Sequence, residues 1–474
     1  MGAQQGTCPN CERLESRVAE LERQLARALA RIAELETQLA AARKDSRTSS
    51  KPPSSDIVKP PRSGGGKRGK KRKRGGQPGH PLHERPAFAA EEIDAVHEHF
   101  HTHCPDCGHV LQRSRQTPRV VQQAEIIARP LRLEEHRALA TWCPHCRKVH
   151  YAPLPEAVRK AGLLGPRLTT LAAYLKSVGH ASFSTIRKFL RDVVGITVSR
   201  GQLAKTIKKA GEALAQTYEH LLNRLPGEPR LNVDETGHKE NGRKYWTWCF
   251  RADLFTLFRI DPSRSSQVLL DVLGAEFEGV LGCDFFGAYR RYMAKCDIAV
   301  QFCLAHLIRE VKFLLTLPDR PTQNYARRLR DSLRTLFAVI HRRESLDETT
   351  FQKRLQAARD GVLRQAARRV PSSKGARNLA KRFRQHGDSY FRFITTPGIE
   401  PTNNLAEQAI RFVVIDRRIT QGTRSPVGRQ WCQRIWTVIA TCAQQGRNVF
   451  QFLNQSVHAY FHNESPPILL PNTS

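Results

Sequence analysis

Apolar residues at Leu14, Val18, Leu21, Leu25, Ala28, Ile32, Leu35, Leu39 and Ala42 recur in alternating steps of four and three, with Glu, Arg and Gln on the other faces. This a/d spacing predicts a coiled-coil helix over 1–45 that pairs with a second copy of the chain. The pattern then stops. Residues 46–90 begin SRTSSKPPSS and continue into a glycine-broken basic run, which predicts a linker, disordered when free. Helical periodicity returns over 156–225. Ser184–Val194, a glycine at 195, a Ser199 N-cap and a helix through Leu203, Ile207 and Ala210 give the outline of a helix-turn-helix. From Leu231 the period becomes two. Leu231–Asp234, Tyr245–Arg251, Leu254–Ile260 and Gly279–Asp284 read as strands, with a helix at Gln267–Leu273. Residues 319–396 read as helical and basic. Pro401–Arg411 opens on a Thr/Asn cap signal and becomes a helix, and 446–474 reads as a C-terminal tail.

Composition narrows the class. The 474 residues include 77 Lys+Arg against 44 Asp+Glu, a net charge of +33, and 40% are hydrophobic. That is enough apolar material for real cores, over about three domains at roughly 150 residues each. No run approaches the ~18 apolar residues of a membrane span. Met1–Arg17 has no apolar stretch of a secretory signal, so the expected location is the cytoplasm, at the nucleoid. The charge points to nucleic acid. Arg62, Lys67, Arg68, Lys70, Lys71, Arg72, Lys73 and Arg74 are candidate phosphate contacts. Lys205, Lys208 and Lys209 would give the second helix of the helix-turn-helix a basic face, and Arg200, Lys205 and Lys208 are its candidate DNA contacts.

Six of the 12 cysteines form Cys-x-x-Cys pairs: Cys8/Cys11, Cys104/Cys107 and Cys143/Cys146. The last two pairs can close an all-thiolate tetrahedral shell around one zinc, with no open position, so this ion is expected to be structural. The strands of such a zinc ribbon, within 91–155, are expected at Val120–Ile127 and Arg132–Trp142.

Two of the predicted strands end in carboxylates, Asp234 and Asp284. The order strand, hairpin, helix, strand sets these ends side by side in a mixed sheet, the RNase H-like arrangement. Converging carboxylates repel unless a cation sits between them. Oxygen donors at a hydrated site suit magnesium or manganese, and two such ions can clamp a phosphodiester exchange. Glu407, about one turn inside its helix, is the candidate third ligand. Cys303 and His306 stand at metal-ligand spacing but read as a buried structural pair.

Four stretches carry a family resemblance: Val-Asp234-Glu-Thr, Cys283-Asp284-Phe-Phe-Gly-Ala-Tyr289, Cys303-Leu-Ala-His306 before a basic helix, and Thr-Asn-Asn-Leu-Ala-Glu407-Gln-Ala-Ile-Arg. Together they resemble the DDE transposases of the insertion-sequence-66 family. SSKPPSSD at 49–56, GGQPGH at 75–80 and the two later cysteine pairs are similar to that family's N-terminal half. Gln408 and Phe412 depart from the family pattern and leave the three acids intact. The resemblance implies cleavage and joining of double-stranded DNA at the ends of a mobile element, a place for His306 near the scissile phosphate, and accessory transposition proteins as further candidate partners. Two competing readings are a non-catalytic zinc-ribbon/helix-turn-helix regulator and an RNase H-like structure-specific nuclease. Three convergent acids count against the regulator. The expected architecture is a multidomain α+β chain: coiled coil 1–45, basic linker 46–90, zinc-binding domain 91–155, helix-turn-helix-like region 156–225, RNase H-like core 226–318 and 397–445, helical insertion 319–396, and tail 446–474.

Overall fold

The computed structural model describes residues 9–44, 48, 87–98, 102–103, 105–110, 120–122, 124 and 130–470. The basic run 62–74 lies outside these, as does Cys104. The chain divides into two units, Met1–Pro60 with Glu135–Ser474, and Pro61–Glu134. In the second, the Gln122 side-chain amide exchanges hydrogen bonds with the Phe88 backbone, at 2.7 and 3.1 Å.

The first unit is mixed α+β. Its leading helix, Pro9–Ala42, leaves the seam in solvent: Leu14, Leu21, Leu25 and Leu35 are 63%, 49%, 60% and 47% exposed. Strands β1 (Ala140–Cys143) and β2 (Lys148–Tyr151) form an antiparallel hairpin around the third cysteine pair, Cys143/Cys146. The expected earlier strands differ: among the described residues, 120–122, 124 and 132–139 are not strand. Val120 and Val121 are 72% and 92% exposed, so neither is buried as a ribbon strand would require.

The region 156–225 is helical. Helix Phe183–Phe189 runs on into a wider turn, Leu190–Val194, and stops at Gly195, where φ is +85°. The Ser199 hydroxyl accepts the Gln202 N–H and caps Arg200–Ala213. This region does not stand apart as its own domain. Arg434 donates to the Gly211 carbonyl at 3.0 Å and Tyr460 to Glu212 at 2.6 Å, which ties it to the two C-terminal helices, Pro426–Gln444 and Val449–His462. The stretch expected as a tail is therefore part of the core. Phe452, Leu453, Val457 and Phe461 are buried on one helix face, each contributing about 1.5–3 kcal/mol.

The central sheet has five strands: β3 (Arg230–Glu240), β4 (Arg243–Arg251), β5 (Thr256–Asp261), β6 (Val280–Cys283) and β7 (Val300–Phe302), in spatial order 5-4-3-6-7. The first three form an antiparallel meander. β6 and β7 join parallel, through helical crossovers that include Ser266–Leu273 and Gly287–Cys296. β3 is longer than its apolar pattern indicates. It runs through Asp234 to Asn241-Gly242, where φ values of +47° and +79° make the tight turn into β4. Asp234 is thus a mid-strand residue. Helices Arg320–Ile340, Glu348–Ala367 and Lys374–His386 fill the stretch between β7 and the Glu407 helix.

Candidate active site

Register brings the two aspartates together. Asn232 on β3 pairs with Gly282 on β6. Asp234 and Asp284 each lie two residues further on, at equivalent positions where the parallel strands part. Gly282 lets the Asn232 side chain approach closely, since a Cβ would come within 2.7 Å of its amide nitrogen and displace it. Asp234 accepts the Glu235 N–H at 2.9 Å and Asp284 the Phe286 N–H at 2.8 Å. Burial first, then the charges of Glu235, Asp284 and Glu407, push the Asp234 carboxyl well above the usual range. Burial and Glu235 raise Asp284 to about 6. All three predicted acids therefore share one electrostatic site.

Glu407 is positioned by Asn403. The sequence suggests a capping role for this asparagine, but its side chain makes no cap bond to its own helix, Asn404–Thr420. It reaches across to the sheet instead. Its Nδ2 donates to the Val233 carbonyl at 2.8 Å, and its Oδ1 accepts from the Asn232 amide at 2.9 Å. Its backbone N–H donates to the Cys303 Sγ at 3.1 Å. One buried residue thus clips the helix to β3 and to the end of β7. Further along, Arg417 donates to Thr236 at 3.0 Å, so the helix covers the sheet face that carries Asp234. The Glu407 carboxylate is itself engaged. Arg309 donates to its Oε1 at 2.8 Å, and the His306 Nδ1 lies 3.5 Å from the same oxygen. Burial and the Arg309 charge lower the His306 pKa to about 4, which leaves the imidazole neutral at pH 7.

Glu235 points to the opposite sheet face, as strand alternation requires. Its side chain is 2% exposed. Arg264 donates to its Oε1 through Nε at 2.9 Å and through a terminal nitrogen at 2.6 Å, and the Tyr289 hydroxyl donates to Oε2. The Arg264 guanidinium is stacked between Trp246 and Phe286, 4.4 and 4.0 Å from the ring centres. Next to Asp284, Phe285 packs on Phe302 and lies under Arg382, whose guanidinium is 4.1 Å from the ring centre and 2.8 Å from Glu310. A helix of the insertion, Lys374–His386, therefore braces the loop that holds Asp284. Periodicity gives no sign of these partners. The basic and aromatic residues flanking the acids were the available signal.

The other predicted residues lie apart from this cluster. Arg200, Lys205 and Lys208 are exposed along one helix face with Gly201 and Ala204 between them. Lys208 is 3.7 Å from Glu212. Cys107 and Cys146 are exposed free thiols, the latter with its Sγ 3.2 Å from His150 Nε2. The Cys143 side chain lies outside the described residues. No helix among the described residues is long and apolar enough to cross a membrane.

A mixed sheet thus presents two aspartates where its parallel strands part, faced by a helix-borne glutamate. The Transposase IS66 family model matches residues 161–430, which include all three acids. The chain belongs to the IS66 transposase family. A family of unknown function matches residues 4–86. Among curated proteins, the chain is 23% identical to the uncharacterized protein y4qI of Sinorhizobium fredii over 337 residues, 64% of this chain and 61% of that one. It is 24% identical to y4jD of the same organism, also uncharacterized, over 346 residues, 66% of each. In both cases the match spans less than two thirds of the relative.

Proposed function

We propose that this protein is a DNA transposase that cuts the ends of an insertion sequence and joins them to target DNA, with Asp234, Asp284 and Glu407 as catalytic carboxylates. The observation that carries this reading is the β3–β6 register, which gives the two aspartates equivalent positions, with Asn403 holding the Glu407 helix against the same sheet face. The strand order, three antiparallel strands followed by two parallel ones, supports an RNase H-like core.

The donor set fits divalent cations. It is all oxygen, and it concentrates negative charge where burial already disfavours it. Asp234, Asp284 and Glu407 would hold two magnesium or manganese ions. When bound, such ions supply activation of the attacking oxygen and stabilisation of the leaving oxygen. The chain's own task is to hold the three carboxylates in place. The Asn403 clip fixes the Glu407 helix, the Phe285–Arg382 contact fixes the Asp284 loop, and Arg309 balances the Glu407 charge until a cation takes it over. The test is cleavage of an end-containing duplex with and without magnesium, beside a binding gel. Binding without cleavage would favour the regulator reading, and cleavage without joining the nuclease reading.

Three further parts complete the proposal. Cys104, Cys107, Cys143 and Cys146 would hold one structural zinc. The exposed seam would make a homodimer. Replacing Leu21 and Leu35 together by Lys is expected to halve the mass seen by light scattering of the DNA-free chain, and an unchanged mass would sink this assignment. The basic linker and the Arg200–Ala213 helix would bind DNA, with affinity falling steeply as salt rises. Deleting 62–74 should weaken binding alike on all sequences. Replacing Arg200 or Lys205 by Ala should cost roughly tenfold in preference for the element's ends, since a base contact is worth about 1–3 kcal/mol. Competition gels with end and scrambled duplexes measure this, and an unaltered preference would move the reading helix elsewhere.

A further inference from the structure

We infer that Cys303, His306 and Glu407 form a second metal site, selective for a thiophilic divalent ion of the zinc class, which competes with catalytic ions for Glu407. The Cys303 Sγ, a His306 ring nitrogen and a Glu407 carboxylate oxygen lie within 4.8 Å of one another. Tetrahedral zinc at bond lengths of about 2.0–2.3 Å needs its ligands some 3.3–3.8 Å apart, so a contraction of about 1 Å closes the set. Cys303 and His306 come from one local turn. Cys303 directly follows β7 as the N-cap residue of the helix Leu304–Leu314, and His306 sits in that helix's first turn. Glu407 arrives on the helix clipped down by Asn403.

Two observations point to a ligand here. The His306 Nδ1 is buried without a hydrogen-bond partner, in a residue only 8% exposed, and it faces the Glu407 carboxylate. Orphaned buried nitrogens are rare, and this one is placed as a ligand. The Cys303 sulfur already accepts the Asn403 N–H, the type of outer contact that orients a thiolate ligand. The mixed S, N, O set distinguishes this site from the all-oxygen one. Magnesium and manganese have little use for a thiolate, whereas zinc takes all three donors. Binding would release the Cys303 thiol proton to solvent, and thiolate plus carboxylate would then balance the ion's charge. Arg309 can keep its hold on Oε1 while the other carboxylate oxygen turns to the metal. Zinc should therefore act as an inhibitor of magnesium-dependent cleavage. This regulatory consequence rests on the transposase reading, while the binding site itself does not.

The experiment is zinc content of the full chain after equilibration with micromolar zinc, compared with Cys303→Ser, His306→Ala and Glu407→Gln, each checked by thermal melting. The wild-type chain should hold one more zinc equivalent than each variant. Because Glu407 is the most exposed ligand, Glu407→Gln gives a reading even where the buried replacements fold poorly. Equal zinc content in wild type and Glu407→Gln would overturn the site. In cleavage assays, Cys303→Ser should lose sensitivity to zinc, read as its activity with zinc relative to its own activity without zinc. Inhibition unchanged in Cys303→Ser would overturn the regulatory role. Loss of zinc from Glu407→Gln together with full cleavage activity would instead overturn the assignment of Glu407 as a catalytic ligand and leave the zinc site standing.

Discussion

Asp234→Asn, Asp284→Asn and Glu407→Gln are each expected to abolish cleavage and joining of an end-containing duplex in magnesium, by about a thousandfold or more. The three acids act through shared cations, so a double variant should be little worse than a single one. DNA binding should survive, because the exposed Arg200, Lys205 and Lys208 face belongs to a different helix. A second readout separates this reading from simple damage. Asp234 and Asp284 are held as weaker acids than usual, so between the unfolded pKa near 4 and the folded value they bind more protons folded than unfolded. Their contribution to stability is therefore lost as pH rises through that window, for Asp284 between about 4 and 6. In the absence of metal at neutral pH, both Asp→Asn variants should melt higher than wild type. Magnesium should raise the wild-type melting temperature and leave theirs nearly unmoved. Full activity in either Asp→Asn variant would remove the enzyme reading. Full activity in Glu407→Gln would move the third ligand to another acid; Glu400 is the next candidate in the sequence, and Glu310 is the one whose charge reaches Asp284 in the structure.

Glu235→Gln should behave in the opposite sense, costing stability more than chemistry. Strand alternation alone marks Glu235 as a bystander that a substitution would hardly disturb. Its burial changes that expectation. Neutralising it leaves the Arg264 guanidinium without its counter-charge beside two aromatic rings, and weakens the bond from Tyr289. Removing one partner of a fully buried pair costs about 3–5 kcal/mol. Arg264 is 36% exposed on its side chain, so solvent repays part of this, and about 2–3 kcal/mol is expected. A melting temperature lower by several degrees is the measurement. Cleavage assayed well below that temperature should fall by no more than about tenfold. A drop as deep as that of Asp234→Asn would place Glu235 among the acting groups.

The parts legible in the sequence are those with local periodicity. The heptad seam, the Ser199 cap, the β6 strand and both aspartates follow from residue spacing. The extent of β3 did not, although the Asn241-Gly242 pair was a turn signal in plain view. The C-terminal helix was readable too, from Phe452, Leu453, Val457 and Phe461 at helical intervals. The rest depends on contacts across long separations. Asn403 carries the residue type of a cap, yet its amide is drawn 170 residues back to Val233. Arg309 reaches Glu407 across 98 residues, and Glu310 finds Arg382 across 72. No local pattern encodes which of two neighbouring acids, Asp234 or Glu235, will be sealed from water. The packing of Tyr289 and Arg264 decides it.

The Asn403 clip also has a consequence for timing. Val233 and Asn232 leave the ribosome long before the residue that fastens to them. At about 5–20 residues per second, synthesis from Asp284 to Glu407 takes roughly 6–25 s. Throughout that interval the nascent protein carries the two aspartates without Glu407. A prematurely terminated product has the same deficit permanently. On the proposed assignment, the third catalytic carboxylate joins the other two only once translation has passed the Asn403 clip and Glu407.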